Sequence, residues 1–281
     1  MSGRTSPARD RPHPVLEGGP LLIAHRGGAG LAPENTIPAF LDAAHVWAAD
    51  MVELDVHASA DGHCVVIHDP TVDRTTNGTG AVAGMPLDQL RELDAGYHFT
   101  RDGTTFPYRG AGVRIPTISE VFEMLPPTMR FTVELKTAAA QAPLLAAIRE
   151  HDAEQRVIVA GEHDAFRTEL SSYPGPISAS REQLLPFYYF HRLHLARWRR
   201  IPVDVVQMCE FSNGRRILTP RLIRDLHRQG LKVHVWTIND RADMARLLDW
   251  GVDGILSDYP DVLAEVMHEK LGRRLPPGLA R

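Results

Sequence analysis

The chain has a rhythm that leaves few folds open to it. Short apolar runs alternate with stretches of helical periodicity almost from end to end. The runs are Leu21–Ala24, Met51–Val56, Cys64–Ile67, Phe131–Leu135, Val157–Ala160, Ile177–Ala179, Val203–Met208, Leu231–Trp236 and Gly254–Leu256. Strands joined by helical crossovers pair in parallel, so the pattern predicts an α/β fold, a (β/α)8 barrel of TIM type. Nine runs compete for eight places. Asp61-Gly62, between the second and third runs, is a tight-turn signal, so that pair reads as a hairpin and the barrel as somewhat irregular there. At 281 residues, 43% of them hydrophobic, the chain suffices for one barrel of roughly 250 residues.

The barrel is expected over 20–271, between flexible segments at 1–19 and 272–281. Residues 70–115 break the rhythm with seven glycines and several prolines, and read as an insertion beside the barrel mouth. Helix starts are legible elsewhere. Pro33-Glu34-Asn35-Thr36 reads as a cap ahead of a helix reaching Ala49. Thr117 and Glu120 form a capping-box pair, Thr219-Pro220 opens a helix, and Asn239 or Asp240 caps another.

The chemistry lies in the residues that end the strands. His25 and Arg26 follow the first run, and His68 and Asp69 end the third. Glu53 and Asp55 lie two apart in a strand and so share a face, as do Glu134 and Lys136. Each pair alone reads as a solvated edge or a surface ion pair, and each histidine alone as a hydrogen-bonded core residue. Together they fall at several strand ends, where a barrel gathers its catalytic groups. Carboxylates converging there repel one another unless a cation joins them. Oxygen-only donors favour a hard divalent ion, Mg²⁺ or Ca²⁺.

These residues sit in recognisable blocks: His25-Arg26-Gly27-Gly28 with Pro33-Glu34-Asn35-Thr36, Val52–Val56, Val66–Pro70, Glu134-Leu135-Lys136, Val235–Asn239 and Gly251–Pro260. In order over about residues 20–265, they resemble the glycerophosphodiester phosphodiesterase family. The resemblance implies a TIM-type barrel with an insertion after the second catalytic histidine. It also implies metal-dependent hydrolysis of glycerophosphodiesters to glycerol 3-phosphate and an alcohol, a step in lipid and glycerol metabolism. By the same resemblance Glu53, Asp55 and Glu134 are metal ligands and His25 and His68 the acid–base pair. Arg26 and Lys136 are phosphate contacts, and Trp236 belongs to the substrate pocket. The attacking group is water or a glycerol hydroxyl.

One stretch stands apart. Residues 181–201 are aromatic and basic in a chain whose net charge is −4. The segment is similar to one in the lysophospholipase D-like branch of the family. It raises the alternative of lysophospholipid cleavage to lysophosphatidic acid, with Phe187, Tyr188, Tyr189, Phe190 and Trp198 facing lipid and Arg192, Arg197, Arg199 and Arg200 facing anionic head groups. The plainer reading is an amphipathic helix covering the barrel, with a basic outer face. An alternative of another class is a non-catalytic barrel that binds phosphorylated ligands, whose mark is a lost histidine or carboxylate. No histidine or carboxylate of the blocks is lost.

Residues 1–19 hold no apolar run of signal-peptide length and no stretch suits a membrane span, so a cytoplasmic location is expected. Two distant cysteines, Cys64 and Cys209, read as reduced thiols. The acidic balance gives no overall attraction to nucleic acid, and a small-molecule diester is the expected partner.

Overall fold

In the computed structural model, which describes residues 13–280, the rhythm closes into a ring. The strands are β1 (Leu21–Ala24), β2 (Met51–Ala58), β3 (Cys64–Val66), β4 (Arg130–Leu135), β5 (Val157–Ala160), β6 (Val205–Cys209), β7 (Phe211–Ser212), β8 (Arg215–Arg216), β9 (Lys232–Trp236) and β10 (Gly254–Ser257). Seven of them form one parallel path, β5-β4-β2-β1-β10-β9-β6. The gap between β5 and β6 is closed by residues 177–178, through single parallel bridges Val159–Ile177 and Ser178–Val205. That segment is the Ile177–Ala179 run of the sequence, reduced to two bridges, and it is the eighth stave. The surplus strand is β3, which returns along β2 in antiparallel register, Val56 opposite Val66, as Asp61-Gly62 predicts.

The crossovers are α1 (Ile37–His45), α3 (Ile118–Met124), α4 (Gln141–Glu150), α5 (Arg181–Arg192), α6 (Pro220–His227) and α7 (Arg241–Trp250). The helix α8 (Pro260–Leu271) follows the last strand, and the short α2 (Leu87–Arg91) lies in the insertion. Side chains alternate accordingly. Val52, Leu54 and Val56 face outward into the shell shared with the helices. Ile23, Met51, Ile158, Val205 and Leu256 fill the barrel's lower interior. Burying one such side chain contributes roughly 1.5–3 kcal/mol. The insertion packs a small core of its own, Val72, Val82, Leu87, Leu90 and Val113, against Val65 and Ile67.

Several expectations need correction. The helix after Pro33 ends at His45 rather than Ala49, because Ala48 takes a positive φ of 48° to bring the chain into β2. Its cap is Thr36, which makes no side-chain capping bond, and Asn35 is used elsewhere. The capping box of Thr117 and Glu120 and the caps at Thr219 and Asp240 are present. Of the flexible segment expected at 1–19, residues 1–12 lie outside the described residues. The rest is held, since Val15 and Leu16 are buried as a plug under the barrel. The tail from 272 is likewise tied down to residue 280. Arg273 pairs with Asp50 at 2.6 Å, and the Gly278 N–H donates to the Val46 carbonyl. Phe187, expected to face lipid, is 0% exposed, because the inner side of α5 packs on the barrel. Among the described residues no helix is long and apolar enough to cross a membrane.

Candidate active site

The carboxyl-terminal ends of β1, β2 and β4 place the site. The chain leaves β1 in a tight turn, with Arg26 held at a φ of 50° and its backbone N–H donating to Glu53 Oε2 at 2.9 Å. A non-glycine residue in that conformation is costly and marks a site over-determined by its surroundings. Gly27 follows with a φ of +85°, and a Cβ there would sit 2.8 Å from the Phe40 ring.

Glu53 and Asp55 extend from β2 on one face and are buried. Glu134 comes from β4, in which it lies directly beside Asp55 in register. One carboxylate oxygen from each of the three lies within 4.8 Å of the others. An all-oxygen cluster at that spacing suits a single hard cation. Burial and the Asp55 charge push Glu53 up to about 7. Asp55 is also buried, but Lys136 and Arg26 outweigh the burial and its pKa falls. Lys136 Nζ bridges Asp55 at 2.9 Å and Glu134 at 3.0 Å, and Arg26 Nε lies 3.3 Å from Asp55.

Two histidines flank this cluster, and each carries an aspartate on Nδ1. His25 Nδ1 is 2.6 Å from Asp258, and its Nε2 lies 3.8 Å from Glu53. Burial disfavours charge on His25, but Glu53 and the Asp258 hydrogen bond outweigh it and raise the pKa. His68 Nδ1 is 2.7 Å from Asp69. Asp69 is drawn down to about 2 by Arg74 and His68. Arg74 also grips Glu34 through its two terminal nitrogens at 2.7 and 2.8 Å, and Glu34 accepts from Arg26 at 2.9 Å. A chain of polar contacts thus runs from His68 through Asp69, Arg74 and Glu34 to Arg26. Beside it opens a cleft of about 410 Å³, lined among others by Glu34, Arg74, His98, Phe99 and Tyr259. Trp236, at the end of β9, is 42% exposed and outside that lining.

Five residues here escape a reading by sequence. Asn35, with a φ of 57°, donates from Nδ2 to Asp55 at 2.9 Å and accepts the Asp55 N–H, so it orients a carboxylate rather than capping a helix. Asn239 spans Asp258, donating to its carboxylate at 2.7 Å and accepting its N–H. His57, next on the inner face after Asp55, hydrogen-bonds the His68 carbonyl at 3.0 Å. Asp258 has the signal that identified His25, a polar residue just past a strand, and the rule could have found it. Arg74 has no signal, because it lies in the insertion.

Fold and site together describe a (β/α)8 barrel whose mouth holds a carboxylate trio, buried Glu53 and Asp55 with half-buried Glu134, between two aspartate-held histidines. The chain belongs to the glycerophosphoryl diester phosphodiesterase family, whose model matches residues 25–262. A glycerophosphodiester phosphodiesterase of Caldanaerobacter subterraneus is 36% identical over 256 residues, spanning 89% of this chain and 98% of that protein. A phosphodiesterase of Oleispira antarctica, solved with the product sn-glycerol-3-phosphate, is 26% identical. Its TM-score is 0.70, with 87% of this chain and 95% of that one covered. A glycerophosphodiester phosphodiesterase structure from Agrobacterium tumefaciens is also 26% identical, with a TM-score of 0.67 over 86% of this chain and 98% of that one.

Proposed function

We propose that this protein hydrolyses glycerophosphodiesters to glycerol 3-phosphate and an alcohol, with one Mg²⁺ or Ca²⁺ held by Glu53, Asp55 and Glu134. The observation that carries the reading is the convergence of those carboxylates between His25 and His68. The donor set fits the ion: Glu53 is held near neutrality in its pKa by burial and its acidic neighbour, a condition that a cation relieves. When bound, the ion supplies Lewis-acid polarisation of the phosphate.

The chain's own residues do the rest. The Arg26 fork and the compact Lys136 charge hold the anionic diester, while Trp236 covers the exposed side of the substrate. Asp258 and Asp69 fix the two imidazoles by Nδ1, which leaves Nε2 of each for proton transfer. One histidine takes a proton from the attacking oxygen and the other gives one to the departing alkoxide. The alcohol leaves into the cleft between Tyr259 and the insertion. Unpaired thiols at buried Cys64 and half-buried Cys209 agree with residence in the cytoplasm.

The test is release of glycerol 3-phosphate from glycerophosphocholine and glycerophosphoethanolamine. Turnover is expected with Mg²⁺ or Ca²⁺, lost in EDTA and restored by excess ion. Absence of turnover of any glycerophosphodiester with either ion would overturn the reading.

A further inference from the structure

The outer face of α5 and the turn after it are unlike the rest of the surface. A barrel-covering helix normally turns polar residues outward. Here Leu185, Tyr189 and Leu193, four apart and so stacked on one face, all point to solvent. Tyr189 is 59% exposed, Leu193 69% and Trp198 68%, with Leu195 exposed between them. Arg192, Arg197, Arg199 and Arg200 are exposed in the same segment, and Arg224 and Arg228 extend the basic surface onto α6. Residues 181–201 contain five arginines and one glutamate. That glutamate, Glu182, is at the far end of α5 and is bound by His163. Asp225 is buried against His191 and Arg228, and Asp204 accepts the Ile177 N–H. The arginines therefore face solvent with the neighbouring carboxylates already engaged.

Topology fixes which end of the barrel this is. α5 begins just after residues 177–178, at the mouth, and runs back to the start of β6. Gln229, at the bottom of α6, hydrogen-bonds the carbonyls of Ala196 and Arg199. Leu193, Leu195 and Trp198 thus lie at the amino-terminal end of the barrel, opposite the carboxylates.

We propose that this patch docks the protein on an anionic phospholipid surface, with the catalytic mouth turned towards water. Trp198, Leu193 and Leu195 enter the interface, and the arginines meet the phosphates with their stems along the apolar boundary. The geometry suits substrates that are themselves water-soluble. Direct capture of a lysophospholipid through this segment requires it beside the mouth, whereas the patch lies at the opposite end of the barrel.

The test is flotation of the full chain with vesicles, and its readout is independent of the reaction catalysed. The protein should float with phosphatidylglycerol–phosphatidylcholine vesicles at low salt, far less at high salt, and not with pure phosphatidylcholine. Arg197→Gln, Arg199→Gln and Arg200→Gln together should lower partitioning about a hundredfold, at about fivefold per charge. Leu193→Ser with Trp198→Ser should lower it about tenfold or more. All five side chains are exposed, so melting temperature and turnover of glycerophosphocholine should stay as in the parent. Failure of the parent to bind anionic vesicles at low salt would overturn the proposal, as would variants that float equally well. A parent that runs as a dimer, and that Trp198→Ser converts to a monomer, would assign the patch to a protein interface instead.

Discussion

His25 and His68 share a design in which an aspartate on Nδ1 sets the tautomer and aims the opposite nitrogen. If they are the acid and base, His25→Ala and His68→Ala should each lower kcat by roughly 10²–10⁴ with the fold intact, as circular dichroism and steady-state rates will report. Wild-type rates in both variants would reduce them to structural histidines. Asp258→Asn keeps the shape of the partner but removes one of the two charges, with Glu53, that raise His25. It should lower kcat by about 10–10² and move one limb of the pH–rate profile to lower pH, since His25 then loses its proton earlier. A purely structural role for Asp258 would change stability and leave the profile in place.

Among the elements, the turn between β1 and α1 is the part on which the site depends most. It carries His25, Arg26, Glu34 and Asn35 within eleven residues, packed against Phe40 and Ala39. Gly27 tolerates no Cβ, through both its φ of +85° and its contact distances. Gly27→Ala should cost more than about 1 kcal/mol of stability and displace Arg26 from Glu53. Turnover should fall well beyond what the lost stability explains, checked by comparing activity and denaturant midpoint on one preparation. Gly62→Ala is the control: it also has a positive φ, with nothing within 4 Å, and lies far from the carboxylates in the β2–β3 turn.

Across the whole molecule, the carboxylate trio links stability to pH. In the metal-free protein Glu53 stands near 7, against roughly 4.3 in an unfolded chain. Between those values the folded state holds the extra proton, so stability falls as pH rises through the window and levels off above it. The raised His25 acts in the same direction. Buried His234, held down to about 4, acts in the opposite direction in both proteins, so the measure is the difference between them: from pH 5 to pH 8 in EDTA the parent should lose more stability than Glu53→Gln. Equal drops would remove Glu53 as the source. An ion at a hundredfold excess over its Kd should stabilise the parent by about 2.7 kcal/mol, and Glu53→Gln should shift that response to higher concentrations.

Local pattern alone made legible the succession of strands along the chain, the surplus hairpin strand, the insertion and the residues at the strand ends. Alternation and strand-end position are local signals, and His25, Glu53, Asp55, His68 and Glu134 all carry them. Asn35 shows where local signals mislead: its place before a helix predicts a cap, and the buried carboxylate of Asp55 takes it instead. Asp258 is 233 residues from the histidine it holds, and Arg74 is 40 from Glu34, so only the closed ring brings them together. The same holds for residues 181–201. Their composition announces an unusual surface, but the inward turn of Phe187, the outward turn of Trp198 and the end of the barrel they occupy follow from how α5 packs, a long-range property that no spacing of residues encodes.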